Sequence, residues 1–593
     1  MEPLRFEQGG IEVRISKVID VYTMHVISGA AVLFVCLTLI AVPDQAHEKA
    51  ARIAESSRTV CGVNTSGESR LGSQPKVPGA KAYSQARRYH YGDGVDKDMV
   101  EALRYYEQSA SEGYLPAKTA LGWIYLDGIG VDVDLDKAVQ WIFPAAEAGD
   151  AEAQFYRGFM HHQGRGVEKD ALEGEAWYLR AIAQDYIHAM HWLAELYRTD
   201  RNDTDTARFF HEAAAVLGHR RSMFILGVMF QDGLGVEVHR ETAMYWFEHA
   251  AKLGDADAQF NLAVNHQWHG DTEEDDRQAL YWYLQAAKQK HALAMSNIAQ
   301  LYFDGDIVER DFVKARKWFL QAAEQGLVVA MDKLGIIFRD GNGVEKDHNT
   351  ALEWMFKGVE QESSLSIYNV GMMHYTGWGV PQDFEIAKEW VTRAANLGNA
   401  EAQAMLGEFN RVDKHYERNY EQAFYWHQKA AAQGQGASII NLGVLYENGL
   451  GIEKSLEQAV SLYTQSAELG WAQAQYNMCS LHLEGRGVKQ DFDKSIKFCR
   501  QAAEQGHAAA QLNLAYHYYS GKGVDADVTA AFAWYQKAAL QGIVEAQLTL
   551  ARMYSAGEGV AVNLAQARLW LQAAADNGSE YAQQNLNMFD DFN

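Results

Sequence analysis

The sequence predicts an all-α solenoid of about 14 stacked antiparallel helix pairs, and three observations predict it. The first is an aromatic column of fixed period. Trp141 and Trp177 are 36 residues apart, and Trp246, Trp282, Trp318, Trp354, Trp390 and Trp426 follow one another at 36. Leu462, Phe498, Trp534 and Trp570 continue the count, Tyr105 stands 36 before Trp141, and Phe210 stands 33 after Trp177. The second is a recurring Gly-x-Gly-Val turn between column entries, as at 128–131, 233–236, 377–380 and 521–524. The third is the spacing of small and apolar residues on either side of that turn, which is the three-and-four spacing of a helix.

One unit shows the grammar in order. Ala510, Gln511, Leu514, Ala515 and Tyr518 place a first helix. Gly521 and Gly523 break it, since glycine accepts the positive φ that such a turn requires. Ala531, Trp534, Ala538 and Ala539 place a second helix, and Gly542 ends it. Asp98, Asp311, Asp383 and Asp491 stand where a carboxylate caps the second helix, and Asp150, Asp255 and Asn399 where a side chain caps the next first helix. Small residues such as Gly122, Gly158, Gly227, Gly335, Gly407 and Gly443 let the two backbones approach. The column residue is expected to fill the space between neighbouring pairs, so the ten tryptophans it uses are first of all core residues. A single pair cannot bury its apolar face, and stacking follows.

Read with the pattern Ala400-Glu401-Ala402-Gln403…Leu406-Gly407 and Lys314-Ala315…Trp318…Ala322-Ala323-Glu324-Gln325-Gly326, these turns resemble the Sel1-like repeat family, a relative of tetratricopeptide repeats. The resemblance implies a right-handed superhelix that binds proteins and organises complexes, with no shared catalytic residue and no cofactor. Four units depart from the pattern. The fourth is three residues short and polar from Tyr197 to Thr206; the sixth carries the acidic run Asp271–Asp276; the seventh has Gly305-Asp306-Ile307-Val308; the tenth has Asp413-Lys414-His415. These either alter the curvature of the superhelix or are tolerant surface loops, and the second reading is favoured.

The resulting organisation is an N-terminal segment at 1–20, a transmembrane anchor or signal sequence at 21–43, a linker at 44–79, the repeat solenoid at 80–578 and a C-terminal capping helix at 579–593. The uncharged stretch Val21–Val42 is 22 residues long, enough to span a bilayer. Ala41-Val42-Pro43 puts proline where a signal peptidase site needs a small residue, so an uncleaved single-pass anchor is favoured over a cleaved signal. A short leading segment that stays in the cytoplasm would leave the solenoid outside it; the alternative is a secreted or periplasmic protein. Arg5, Arg14 and Lys17 before the span and Lys49, Arg52 and Arg58 after it set no strong bias. A net charge of −25 excludes a nucleic-acid footprint and leaves protein partners.

Little chemistry stands out. Cys479 and Cys499 lie on the two helices of one unit; a disulfide between them fits an oxidising compartment, but two buried free thiols are the commoner case. His188 with His191, and His266 with His269, sit at i, i+3, yet each pair lacks a clear third metal ligand, and no metal site is assigned. Asp271–Asp276 lacks the spaced oxygens and central glycine of a calcium loop. Ser73-Gln74-Pro75-Lys76 matches a nucleophile motif without its companions. No catalytic residue is expected, and a cell-envelope hydrolase is the weakest alternative. Trp378, between two turn glycines, and Trp471, ahead of a first helix, fall outside the column and are the candidate partner-binding residues.

Overall fold

The computed structural model describes residues 77–586. The N-terminal span, most of the linker, Ser73–Lys76 and Met588 lie outside these residues. The described chain forms 29 α-helices and no strand, most of them 13 residues long. No helix among the described residues is long and apolar enough to cross a membrane. The chain divides into two compact bodies, one up to residue 298 and one from 299 onward. Within each body, consecutive helices pack pairwise, and successive first helices also touch, as Leu115–Asp127 does Ala151–Gln163 in the first body and Ala472–Glu484 does Ala508–Ser520 in the second.

The local causes are those expected. The Asp98 carboxylate accepts from Val100 and Glu101 N–H, and Asp311, Asp383 and Asp491 each accept from the N–H three residues on. Asp150, Asp255 and Asn399 cap first helices in the same way. At the Gly-x-Gly turn of 521–524 both glycines have positive φ, 69° and 74°. The second is fixed by contact as well: a Cβ on Gly523 would lie 2.6 Å from the Phe492 carbonyl oxygen of the preceding repeat.

The aromatic column is not the innermost one. In the helix Arg240–Lys252 the buried residues are Ala243, Phe247, Ala250 and Ala251, a stripe at i, i+4, i+7 and i+8. Trp246 lies on the edge of that stripe, half-buried against the same cluster that Trp282 of the next repeat reaches. The fully buried position is therefore one residue after the column, where Tyr106, Tyr178, Phe247, Tyr283, Phe319 and Tyr463 stand. Only Trp177 and Trp426 of the ten column tryptophans are buried; the others are half-buried. The outer face of the indole is often covered by a cation three residues on: the ammonium of Lys357 lies 3.8 Å from the Trp354 ring centroid, and that of Lys537 lies 3.8 Å from Trp534.

The tight spot between the two helices of a repeat is built from this inner column and a glycine 20 residues earlier. A Cβ on Gly227 would come within 2.5 Å of the Phe247 ring, one on Gly443 within 2.4 Å of Tyr463 and one on Gly407 within 2.4 Å of His427. A second device joins neighbouring repeats. Gln511 Nε2 donates to the Ala503 carbonyl of the repeat before it, and Gln541 Nε2 donates both to Gln511 Oε1 and to the Gly506 carbonyl. Gln154 with Gln184, Gln403 with Gln433, and Gln475 with Gln505 make the same bonds. These amides answer carbonyls that would otherwise be buried without partners.

The departing repeats have local solutions. The acidic run of the sixth is not a solvated loop: Glu273–Asp276 form the first turn of a 16-residue helix, with Thr272 and Asp275 in a capping box and the charges at the helix end that favours them. At the C-terminus the short helix Glu580–Leu586 lays Ala582 and Leu586 on the last pair, while Tyr581 points outward.

Candidate functional site

First helices are inner elements. In Ala151–Gln163 only Gln163 is exposed, whereas Leu172, Glu173, Ala176, Leu179 and Arg180 are exposed on the second helix Ala171–Ile182. Fully exposed side chains for a partner thus come mainly from second helices and turns, and the first helices supply half-buried ones.

Trp378 and Trp471 are both half out of the protein, 46% and 44% exposed. Trp378 sits between Gly377 and Gly379, with its ring edge-on to His348 at 5.3 Å between centroids. Trp471 is the residue before the helix Ala472–Glu484 and lies over Gly436, where any side chain would collide with its indole. The two are not one patch. Trp378 occupies a turn within a repeat and Trp471 a turn between repeats, and in an antiparallel pair these turns fall at opposite ends of helices about 20 Å long. Trp123 and Trp192 pack on core clusters, and Trp268, at 71%, is more exposed than either candidate.

Cys479 and Cys499 are joined in a disulfide, with Cα atoms 5.1 Å apart. They occupy the tight spot itself: Cys479 stands where Gly443 and Gly407 stand, and Cys499 where Tyr463 and His427 stand. Two sulfurs fill the space that a glycine and a large side chain fill elsewhere. His266 pairs with Asp275 at 3.0 Å rather than with His269.

Fourteen consecutive segments, from 82–114 to 544–579 without a gap, match the model of the Sel1 repeat. The chain belongs to the Sel1 repeat family. Its fourth Sel1 repeat, 187–219, is matched over three residues fewer than its neighbours on either side. The solved structure of a protective antigen present in uropathogenic Escherichia coli strains is similar at 30% identity, covering 77% of this chain and 91% of that one with a TM-score of 0.55. A Sel1 repeat protein from Oxalobacter formigenes is 31% identical over 55% of this chain and 93% of its own, with a TM-score of 0.42. No curated protein matches the chain.

Two Sel1 repeats place a histidine at the buried inner position, His211 in the fourth and His427 in the tenth, and both lack the Gly-x-Gly turn. Each histidine has its Nδ1 near a serine of the following repeat, Ser222 at 3.3 Å and Ser438 at 3.2 Å. Each has its Nε2 near a glutamate of its own first helix, Glu195 at 3.2 Å and Glu408 at 3.7 Å. The glutamate is in turn held by an arginine one turn on, Arg198 or Arg411. Only the fourth repeat adds a third donor, His191; Ala404 stands at the matching place in the tenth. His191, Glu195 and His211 bring one ligand atom each to within 4.8 Å of one another. Burial, then repulsion from His211 and His219, holds the His191 imidazole down at about 3. Burial opposes ionisation of Glu195, but contacts from His211 and Arg198 prevail and hold it at about 2. Of the i, i+3 pair His188 and His191, to which the sequence assigns no metal, only His191 belongs to the cluster; Glu195 stands one turn on and His211 comes from the next helix.

In the tenth repeat burial, with Arg411 nearby, pushes His427 down to about 4. The unfolded chain therefore binds more protons than the folded one between about pH 6.5 and 4. Stability from this residue is complete above about pH 6.5 and lost as pH falls toward 4, by up to about 3 kcal/mol. His427→Tyr, copying the residue at this position in the third and eleventh repeats, is expected to flatten that loss. Urea midpoints from pH 7 to pH 4.5 measure it; equal slopes in both proteins would show that His427 is not the group responsible.

Proposed function

We propose that the chain is a membrane-tethered Sel1-repeat scaffold that holds protein partners on the outer side of the membrane. The observation that carries the scaffold reading is the uninterrupted run of 14 Sel1 repeats. An array of this kind offers a long preorganised surface, which binds without the ordering cost that a flexible chain would meet. The membrane part rests on the uncharged stretch Val21–Val42. The Cys479–Cys499 disulfide supports the outer side, since such bonds persist in oxidising compartments.

Partner contact is passive. Exposed second-helix and turn residues make it, with Trp378 and Trp471 as separate aromatic anchors at opposite edges. Each buries a large rigid ring for little entropy.

The test is cross-linking of the full-length tagged protein in intact membranes, followed by identification of what is captured. A stoichiometric partner, reduced several-fold by Trp378→Ala with Trp471→Ala at unchanged helicity, is the expected result. Capture indifferent to both substitutions would remove these residues from the interface. Recovery of the chain alone in the soluble fraction, with an N-terminus beyond residue 43, would replace the tethered reading by the released one.

A further inference from the structure

The fourth repeat gathers more nitrogen ligands at one point than any pattern of packing requires. Its inner-column residue is His211, fully buried. Where the third repeat has Phe155 and the fifth has Phe224, it has His191. Glu195 follows one turn along the same helix face.

Proton accounting at Ser222 describes the cluster. Ser222 Oγ lies 3.3 Å from His191 Nδ1, 3.3 Å from His211 Nδ1 and 3.0 Å from His219 Nδ1. The Ser222 backbone N–H donates to His219 Nδ1, so that nitrogen carries a lone pair. A hydroxyl has one hydrogen and two lone pairs. The Ser222 oxygen can accept Nδ1–H bonds from both His191 and His211, the tautomers that free each Nε2 for a cation. Both of those rings then present bare Nε2 lone pairs. His211 Nε2 faces Glu195 Oε1 at 3.2 Å, and both atoms are buried. Arg198 occupies the other carboxylate oxygen and leaves Oε1 to the cluster. A cation held between His211 Nε2 and Glu195 Oε1 would take the place of the proton that otherwise joins the imidazole and the carboxylate.

We propose that the fourth repeat binds a late first-row divalent ion, Zn²⁺ by preference, through His191, Glu195 and His211, with a fourth position open to water or to a partner's side chain. Two imidazoles and a carboxylate are a ligand set that zinc takes. At zinc bond lengths near 2 Å, tetrahedral ligand atoms stand about 3.3 Å apart, close to the His211–Glu195 spacing. The Nδ1–H···Oγ bonds to Ser222 are the outer-shell support that orients ligating histidines. His191 is half-buried, so small ring movements can close the set. The ion would clip together the two helices of a repeat without the Gly-x-Gly turn, as the disulfide does those of the twelfth. The tenth repeat, with Glu408, His427, Ser438 and Arg411 in the same register and Ala404 in place of His191, is the built-in comparison.

The experiment is titration of tag-free full-length protein with Co²⁺, read by visible absorption, followed by displacement with Zn²⁺. The expected result is one equivalent bound in a low-symmetry nitrogen–oxygen site. His191→Gln is expected to weaken binding by at least about tenfold. His266→Gln with His269→Gln, and Glu408→Gln, are expected to leave it unchanged. Helicity checks that His191→Gln folds, and Glu195→Gln serves as the second variant. No bound metal at micromolar concentration would overturn the proposal. So would binding that survives both His191→Gln and Glu195→Gln, which would leave a proton between His211 and Glu195 as the occupant of the site.

Discussion

Phe247→Ala is expected to destabilise the fifth repeat by about 3–5 kcal/mol. Phe247 is fully buried and fills the space left by the absence of a side chain at Gly227. Truncation leaves a cavity that two helices cannot close without giving up Ala250 and Ala251, which are buried beside it. Because each repeat leans on its neighbours, the damage should be local before it is global. Amide exchange over Met223–Met229 and Ala243–Ala251 is expected to accelerate strongly, with protection kept in the thirteenth repeat. Gly227→Ala is expected to destabilise the wild type, because its Cβ would meet the ring, and to be tolerated in the Phe247→Ala protein, where the ring is gone. A double-mutant cycle measures this coupling. Additive effects would mean that the two residues do not share the tight spot.

Breaking the Cys479–Cys499 bond is expected to cost about 3 kcal/mol, the loop-closure value for residues 20 apart. The bond sits where a glycine and a tyrosine meet in the eleventh repeat, so cross-link and packing can be separated. Cys479→Gly with Cys499→Tyr copies that pair. The wild type should lose stability to urea when reductant is added, and the double variant should be indifferent to reductant. A wild type equally indifferent would show that the sulfurs are not bonded in solution.

Most of the framework was legible because it is written in local chemistry. A carboxylate before a helix and a pair of glycines after one act within four residues, so Asp98, Asp311 and the turn at Gly521 and Gly523 could be read directly. The inner column could not. Trp246 and Phe247 are both apolar and adjacent, separated by 100° around the helix, and only the position of the neighbouring helix decides which is inward. The glutamines were visible as spelling, in Ala-x-Ala-Gln and Gln-Gly, without their bond, since Gln511 and Gln541 are 30 residues apart. The acidic run 271–276 was read as a loop because its capping box begins one residue into it, at Thr272. The histidine cluster was hidden for a related reason: His191 and His211 meet across a helix pair whose turn is shortened, so no fixed spacing announces them. That both histidine-bearing repeats had lost the glycine turn was the available clue.

The glutamine bonds have a consequence for how such a chain changes length. Gln511 reaches back to a carbonyl of the previous repeat, and Gln541 ties Gln511 to the turn glycine before it, so every seam of this type is interchangeable with every other. Excision of 508–543 would bring Gln547 to the Ala503 carbonyl and Asn577 to Gln547, restoring the lost seam from parts already present. The seam is confined to some boundaries: Met190, Met223, Met295, Met331, Ile367 and Ile439 stand where its glutamine would, and His211 and His427 reach Ser222 and Ser438 of the repeats that follow. Duplication and loss can therefore slide through the glutamine-joined stretches and stop where a repeat depends on one particular neighbour. Such repeats act as fixed marks, and a partner that binds beside one would keep its address while the array grows or shrinks elsewhere.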